Sequence, residues 1–490
     1  MGLAQAEFRL RPHPARSICS SRGSNMSMQV DAADAQKRKL EGDAAQAAGD
    51  KADDAYVAKR AAGVVAGAPM DNGLMKNEDF SRELLRIYYD RLFPYLQMFR
   101  WLSYKNDPKS SSTGVQKDFF LRREFTFVLE GDIFCRYMCF RDAEEMKSQI
   151  MQRQPIRMEI GAVYTHPPKN HNTVIKDAYK PVERELVFDI DMDDYDEIRT
   201  CCTGAKLCVK CWNFMKAAIK ILQRALTQDF GFKHILFVYS GRRGMHCWVC
   251  DSAARKLTND HRAALADYMT VVAGGVGRCR ADVKMSGEEF HPFIQETYNI
   301  CEKYFRDDPN GVLQGQDILR KGPHLSNILN TMTFTEQEAI SKFMKEFPNA
   351  TSRDIWAQFE KLGQEKAKVA VAGSFKMKQE SKLFLKDIVL QYTCPRLDIN
   401  VSKQMNHLLK APFVVHPKTG RVCVPIDLAK MDSFDPAEVP TIGRLVDEMN
   451  RGVDVRQTSL REYTHYFEEQ FLKPLEKACA EEMSRGTLDW

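Results

Sequence analysis

Several things are scarce in this 490-residue chain, and each scarcity excludes something. No stretch approaches the roughly 18 consecutive apolar residues that a membrane-crossing helix needs. Cysteine is dilute, 14 in 490, which excludes a disulfide scaffold and, with no secretory signal apparent, points to reduced thiols inside a cell. Excess charge of one sign is missing too: 71 Lys and Arg face 66 Asp and Glu, a net +5 that does not by itself argue for a nucleic-acid partner. What is present is ordinary globular composition, 44% hydrophobic and 28% charged, long enough for two or three sizeable cores.

Residues 1–75 are rich in Ala, Gly, Ser and Arg with almost no apolar periodicity, and are expected to be a disordered extension. Arg9, Arg11, Arg16 and Arg22 against Glu7 give residues 1–25 the look of a transit peptide; a plain tail or a later start at Met26 or Met28 is the alternative. Helical spacing begins near Asn77 and Pro94 breaks it. Alternation predicts strands over 119–129, 132–140, 156–166 and 185–192, and again on both sides of a GRRG turn in YSGRRGMHCWV (239–249). An amphipathic helix is expected over 208–231, closed by Gly231, then mostly helix from 253 to 390. Strands are expected to return at 396–402 and 421–428, before a terminal helix. The fold class is therefore α+β or mixed α/β, a strand-rich core interrupted by a helical insertion.

The most informative stretch is ELVFDIDMDDYDEI (185–198). Side chains alternate along a strand, so Leu186, Phe188, Ile190 and Met192 share one face while Val187, Asp189 and Asp191 share the other. Two carboxylates at i and i+2 stand roughly 6–7 Å apart, a spacing that suits divalent cations with oxygen ligands, Mg2+ or Mn2+. An acidic strand end facing solvent is the bland alternative. Asp398, in PRLDINVS, is the candidate third carboxylate from a distant segment, which is how a two-metal site for phosphoryl transfer is completed. Asp193, Asp194 and Asp196 are expected to cap or solvate the next turn.

Ser240, Arg242, Arg243 and His246 lie on the glycine-flanked turn, where guanidinium forks and exposed backbone N–H groups suit phosphate oxygens. Lys403, His407, Lys410, His416 and Lys418 would add a second basic wall around Asp398. Cys201, Cys202, Cys208 and Cys211 follow a C-C-x5-C-x2-C spacing that suits tetrahedral zinc. Cys247 and Cys250 are a rival pair, discounted because strand residues at i and i+3 face opposite sides.

Together these motifs, with YYDRLFPYLQMFRWL, RREFTF and IGAVYTHPPKNHNTV, resemble the small catalytic subunit of eukaryotic DNA primase over roughly residues 80–440. The resemblance implies an archaeo-eukaryotic primase fold with a mixed sheet core, a zinc knuckle at 201–211 and a helical insertion. It divides the chain into an extension (1–75), a first core part (76–295), the insertion (296–385) and a second core part with the terminal helix (386–490). It implies template-directed synthesis of short RNA primers from ribonucleoside triphosphates on single-stranded DNA. Asp189, Asp191 and Asp398 would bind the catalytic Mg2+ or Mn2+, with Glu124 of RREF a further active-site acid. Ser240, Arg242, Arg243, His246, His407, Lys410 and His416 would contact the nucleotide, and the four cysteines would hold structural Zn2+. Implied partners are the large iron–sulfur subunit and the DNA polymerase alpha complex, in the nucleus. A deoxynucleotide-preferring primase-polymerase, a non-catalytic zinc-bearing nucleic-acid module and a template-independent phosphotransferase remain as rivals.

Overall fold

The computed structural model describes residues 79–486, apart from 112–113, 272–284, 287–288 and 372–384. The extension expected over residues 1–75, including the Arg-rich first 25, lies outside the described residues.

Order opens with α1 (Arg82–Arg91), whose first turn is capped by the Ser81 hydroxyl accepting from Leu84 N–H. Pro94 separates it from α2 (Tyr95–Ser103), so the expected helical run is two helices. Tyr88 drives α1 inward, donating its buried hydroxyl to the Phe413 carbonyl at 2.7 Å. Two antiparallel sheets follow. The first contains β1 (Arg123–Leu129), β2 (Ile133–Met138), β3 (Arg157–Tyr164) and β4 (Pro181–Glu183). α3 (Ala143–Arg153) links β2 to β3. The second sheet has β5 (Leu186–Asp191) beside β7 (Gly244–Val249), with β6 (Ile235–Tyr239) on the far side of β7. Between β5 and β6 runs α4 (Val209–Arg224), continued to Asp229 and closed by Gly231 at φ +72°.

Among the described residues the region expected to be mostly helical holds α5 (Asn259–Met269), α6 (Pro292–Glu302), α7 (Phe334–Glu346) and α8 (Ser352–Val371), with a short antiparallel pair, Met285–Ser286 against Glu289–Phe290. The two strands expected near the C-terminal end are corrected. Residues 396–402 are not a strand: Asp398 caps a short helix, α9 (Ile399–Lys403). Residues 421–428 form only isolated bridges, Val415 with Val422, Arg421 with Thr441 and Val238 with Pro425. The strand that does form here is β8 (Leu409–Lys410), pairing with β3.

The two sheets are tied in two ways. Arg123 in β1 meets Glu185, just before β5, through two 2.9 Å hydrogen bonds with both side chains fully buried. The chain after β8 then crosses to the second sheet, where Tyr239 N–H donates to the Val424 carbonyl and Ile426 N–H to that of Phe237. That crossing carries Lys410 and His416 past the β6–β7 turn.

Candidate active site

β5 is one edge of its sheet, so its backbone faces β7 on one side only. Along that pairing Asp189 stands opposite His246 and Asp191 opposite Gly244. Both aspartates are partly exposed while Phe188 and Ile190 on the other face are buried, as the alternation requires. On the open side of β5, Asp398 N–H donates to the Asp189 carbonyl at 3.1 Å. Ser402, at the end of α9, donates its hydroxyl to the Val187 carbonyl at 2.7 Å. A distant segment is thus pinned along β5, and its first residue is the third acid.

Much of the charge here is already compensated. Arg243 Nε lies 2.8 Å from Asp191 Oδ1, and a terminal guanidinium nitrogen of the same residue pairs with Asp193. Asp193 N–H also donates to Asp191 Oδ1. Asp194 is exposed as a residue, yet partial loss of solvent and then the charges of Asp191 and Asp398 raise its carboxyl to about 6. An all-oxygen donor set with surplus negative charge suits a hard divalent cation, with Asp189, Asp191 and Asp398 as the residues that would hold it.

The turn between β6 and β7 is closed on itself: Gly244 N–H donates to the Ser240 hydroxyl at 3.0 Å, and Ser240 N–H donates to the Gly244 carbonyl at 3.0 Å. Gly241, at φ +84°, lies against His416, and a Cβ there would come within 2.8 Å of His416 Cβ. Lys410 reaches the same turn, its ammonium donating to the Ser240 carbonyl at 3.2 Å. Burial lowers its pKa. His416 is driven down to about 2 by burial, then by Lys410, Arg242, Lys418 and Arg157. It is therefore neutral, and because its Nδ1 accepts from Lys418 N–H at 3.2 Å, its proton sits on Nε2.

Two expected site residues stand in different surroundings. Glu124 is fully buried in β1 and ion-paired to Arg136 at 3.0 Å, in the other sheet from the aspartates. The His407 carbonyl accepts from Arg184 Nε at 3.0 Å.

The four cysteines come together. Their sulfurs lie within 4.8 Å of one another, with Cys208 and Cys211 3.9 Å apart. A tetrahedral zinc–sulfur site, with bonds of about 2.3 Å, needs sulfurs about 3.8 Å apart, so the donor set fits. Among the described residues no other group of three or more metal-binding side chains is drawn this tightly, the three aspartates included. Residues not foreseen from the sequence support the knuckle. Arg199, buried, donates to the Lys206 and Gly204 carbonyls and approaches the Cys211 sulfur at 3.8 Å. Asp196 accepts from Arg199 Nε at 2.6 Å and from Gly204 N–H at 3.0 Å. It thus fastens the knuckle to the turn after β5, a task beyond the capping expected of it. Gln316 donates to Cys201 at 3.3 Å from over a hundred residues away. Only the short Asp196–Arg199 spacing was visible in the sequence; nothing marked Gln316. Cys247 and Cys250 are fully buried in the core.

The family model for the DNA primase small subunit matches residues 188–428, a span running from β5 through the cysteines and the arginine turn to the segment after Asp398. The DNA primase small subunit of Drosophila melanogaster is 39% identical over 429 residues, covering 82% of this chain and 93% of that protein. The chain belongs to the DNA primase small subunit family. Its counterpart in Schizosaccharomyces pombe is 37% identical, with 79% of this chain and 82% of the relative aligned. Among solved structures, the polymerase domain of Mycobacterium tuberculosis ligase D in complex with DNA aligns with 81% of the chain at a TM-score of 0.35 and 11% identity. The matched span covers the charged turn and the acidic strand, and Glu124 precedes it. No described helix is long and apolar enough to cross a membrane.

Proposed function

We propose that this chain is the catalytic subunit of a DNA primase, a nucleotidyltransferase that copies single-stranded DNA into short RNA primers from ribonucleoside triphosphates. The observation that carries this reading is the hydrogen bond from Asp398 to the Asp189 carbonyl, which sets a third acid beside the strand pair. Membership of the primase small subunit family supports the template and the nucleotides as substrates.

Mg2+ or Mn2+ held by Asp189, Asp191 and Asp398 would acidify the attacking hydroxyl and neutralise triphosphate charge, and Zn2+ on Cys201, Cys202, Cys208 and Cys211 would brace the knuckle. The chain's own groups do the rest. Arg242 and Arg243 offer forked donors to the phosphate oxygens from a turn whose backbone is locked by Ser240. Lys410 adds a buried cation against that turn, and neutral His416 offers its Nε2–H. His246, across from Asp189, offers a ring N–H to a phosphate oxygen. His407 is assigned a contact to the nucleotide, and Glu124, buried against Arg136, the part of a further active-site acid. The primer 3′-hydroxyl loses its proton to solvent as its oxygen bonds to the α-phosphorus, the bond from that phosphorus to the oxygen bridging the β-phosphate breaks, and pyrophosphate leaves. Catalysis is mainly alignment and charge stabilisation. Partners would be a large iron–sulfur primase subunit and the DNA polymerase alpha complex, in the nucleus.

The test is primer synthesis on single-stranded DNA with labelled ATP or dATP, by the purified chain alone and with a large subunit. Asp189→Ala should lower synthesis about a hundredfold or more while thermal unfolding stays unchanged. A well-folded Asp189→Ala protein with near wild-type synthesis would remove the site assignment. Efficient use of dATP over ATP would replace the primase by a deoxynucleotide polymerase.

A further inference from the structure

Two adjacent arginines on one turn behave differently. Arg243 is committed to acids: it bridges Asp191, at 2.8 Å, and Asp193. Arg242 makes no ion pair among the described residues; its carbonyl accepts from the Tyr239 hydroxyl, and burial followed by the Arg243 charge lowers its pKa. The register explains the split. Asp191 stands opposite Gly244, so Arg243 is the last turn residue before the pairing and its side chain reaches back over the end of β5. Asp191 Oδ1 already accepts from both Arg243 Nε and Asp193 N–H.

We propose that Arg243 is the counter-cation of the nucleotide-free site, exchanging the carboxylates of Asp191 and Asp193 for nucleotide phosphate and thereby coupling divalent-cation binding to nucleotide binding. The inference rests on the reading of Asp191 as a metal ligand. A guanidinium in contact with Asp191 Oδ1 puts a like charge beside any cation bound to that oxygen, so cation alone binds weakly. A triphosphate brings several negative charges to the turn. Arg242, not engaged by an acid, meets them first; Arg243 then gains a bidentate phosphate partner in place of its carboxylates. Asp191 is released as the phosphate-borne cation arrives. By linkage, cation and nucleotide must raise each other's affinity by the same factor.

The experiment titrates Mn2+ into the full chain, without nucleotide and then with a saturating non-reacting ATP analogue. It compares wild type, Arg243→Gln, Arg242→Gln and Asp191→Asn. Both arginine variants lose one positive charge from the same turn, so a general field effect would tighten Mn2+ binding similarly in each. Displacement predicts that Arg243→Gln alone binds Mn2+ about tenfold tighter without nucleotide, and that the gain from the ATP analogue shrinks towards none in that variant. Equal Mn2+ affinities in the two arginine variants would overturn the proposal while leaving the site reading intact, provided Asp191→Asn abolishes the binding. Unchanged Mn2+ binding in Asp191→Asn would overturn the site reading itself, and this inference with it.

Discussion

At the scale of single residues, the same side-chain type takes opposite roles according to its neighbours. Asp191 takes Arg243 and Asp398 caps α9, while Asp196, five residues after Asp191, is spent on Arg199 and the knuckle. His416 is the sharpest case. Its imidazole is held neutral by burial and by the cations Lys410, Arg242, Lys418 and Arg157 around it. In the unfolded chain a histidine takes up its proton near pH 6.5. The unfolded state therefore binds one more proton than the folded state below about pH 6.5, and stability falls as pH falls through that range. The cost is roughly 1.4 kcal/mol per pH unit for this one proton. His234 and His324 are also lowered by burial, but they are present in wild type and variant alike. His416→Asn should thus lose about 2 kcal/mol less than wild type between pH 6.5 and pH 5, measured by urea unfolding at each pH. Parallel pH profiles for the two proteins would show that His416 is not held neutral.

At the scale of elements, the β5–β7 pair shows how legible a sheet can be. Alternation placed both strands, the Gly-flanked turn and the face bearing Asp189 and Asp191. The same alternation misled at 396–402, where Leu397, Ile399 and Val401 mimic a strand. A five-residue helix is too short to hold itself, so local propensity is silent there. α9 exists because the Asp398 side chain accepts from Asn400 N–H and because Ser402 is anchored on β5. The turn also sets a steric test. Gly244 needs no unusual φ, but a Cβ there would come within 2.4 Å of the Ile190 carbonyl oxygen. Gly231 is the reverse, with φ +72° and open space around it. Gly244→Ala should cost about 3 kcal/mol, because β5 or β7 must shift, whereas Gly231→Ala should cost about 1. Denaturant midpoints check this, and equal losses would mean that the two strands are not in close contact at the site.

At the scale of the whole molecule, the candidate site depends on two sheets keeping their positions, since Asp189, Asp191 and the arginines belong to one, Asp398 caps α9 beside it, and Lys410 arrives from the other. The tie is the buried pair Arg123–Glu185, to which the Tyr104 hydroxyl adds a 2.6 Å hydrogen bond. Burial alone would push the Glu185 carboxyl up; Arg123 and then Arg184 overcome it and hold it at about 2. Arg123→Met leaves that carboxylate buried with less compensation and should cost roughly 3–5 kcal/mol. Adding Glu185→Gln removes the stranded charge and should return part of the loss. A double variant that loses the full sum of the two single losses would show that the pair does not act as a unit.

The sequence by itself determined the alternating acidic strand, the arginine turn, the four-cysteine spacing and the helical stretch after residue 253, because each follows from the local period or from close spacing. Only the tertiary structure decided that Asp398 arrives on a helix cap, that Arg243 rather than Arg242 binds Asp191, and that Gln316 reaches the cysteines. Those choices rest on contacts between segments far apart in the chain, and no local pattern encodes a partner that distance alone does not bring near.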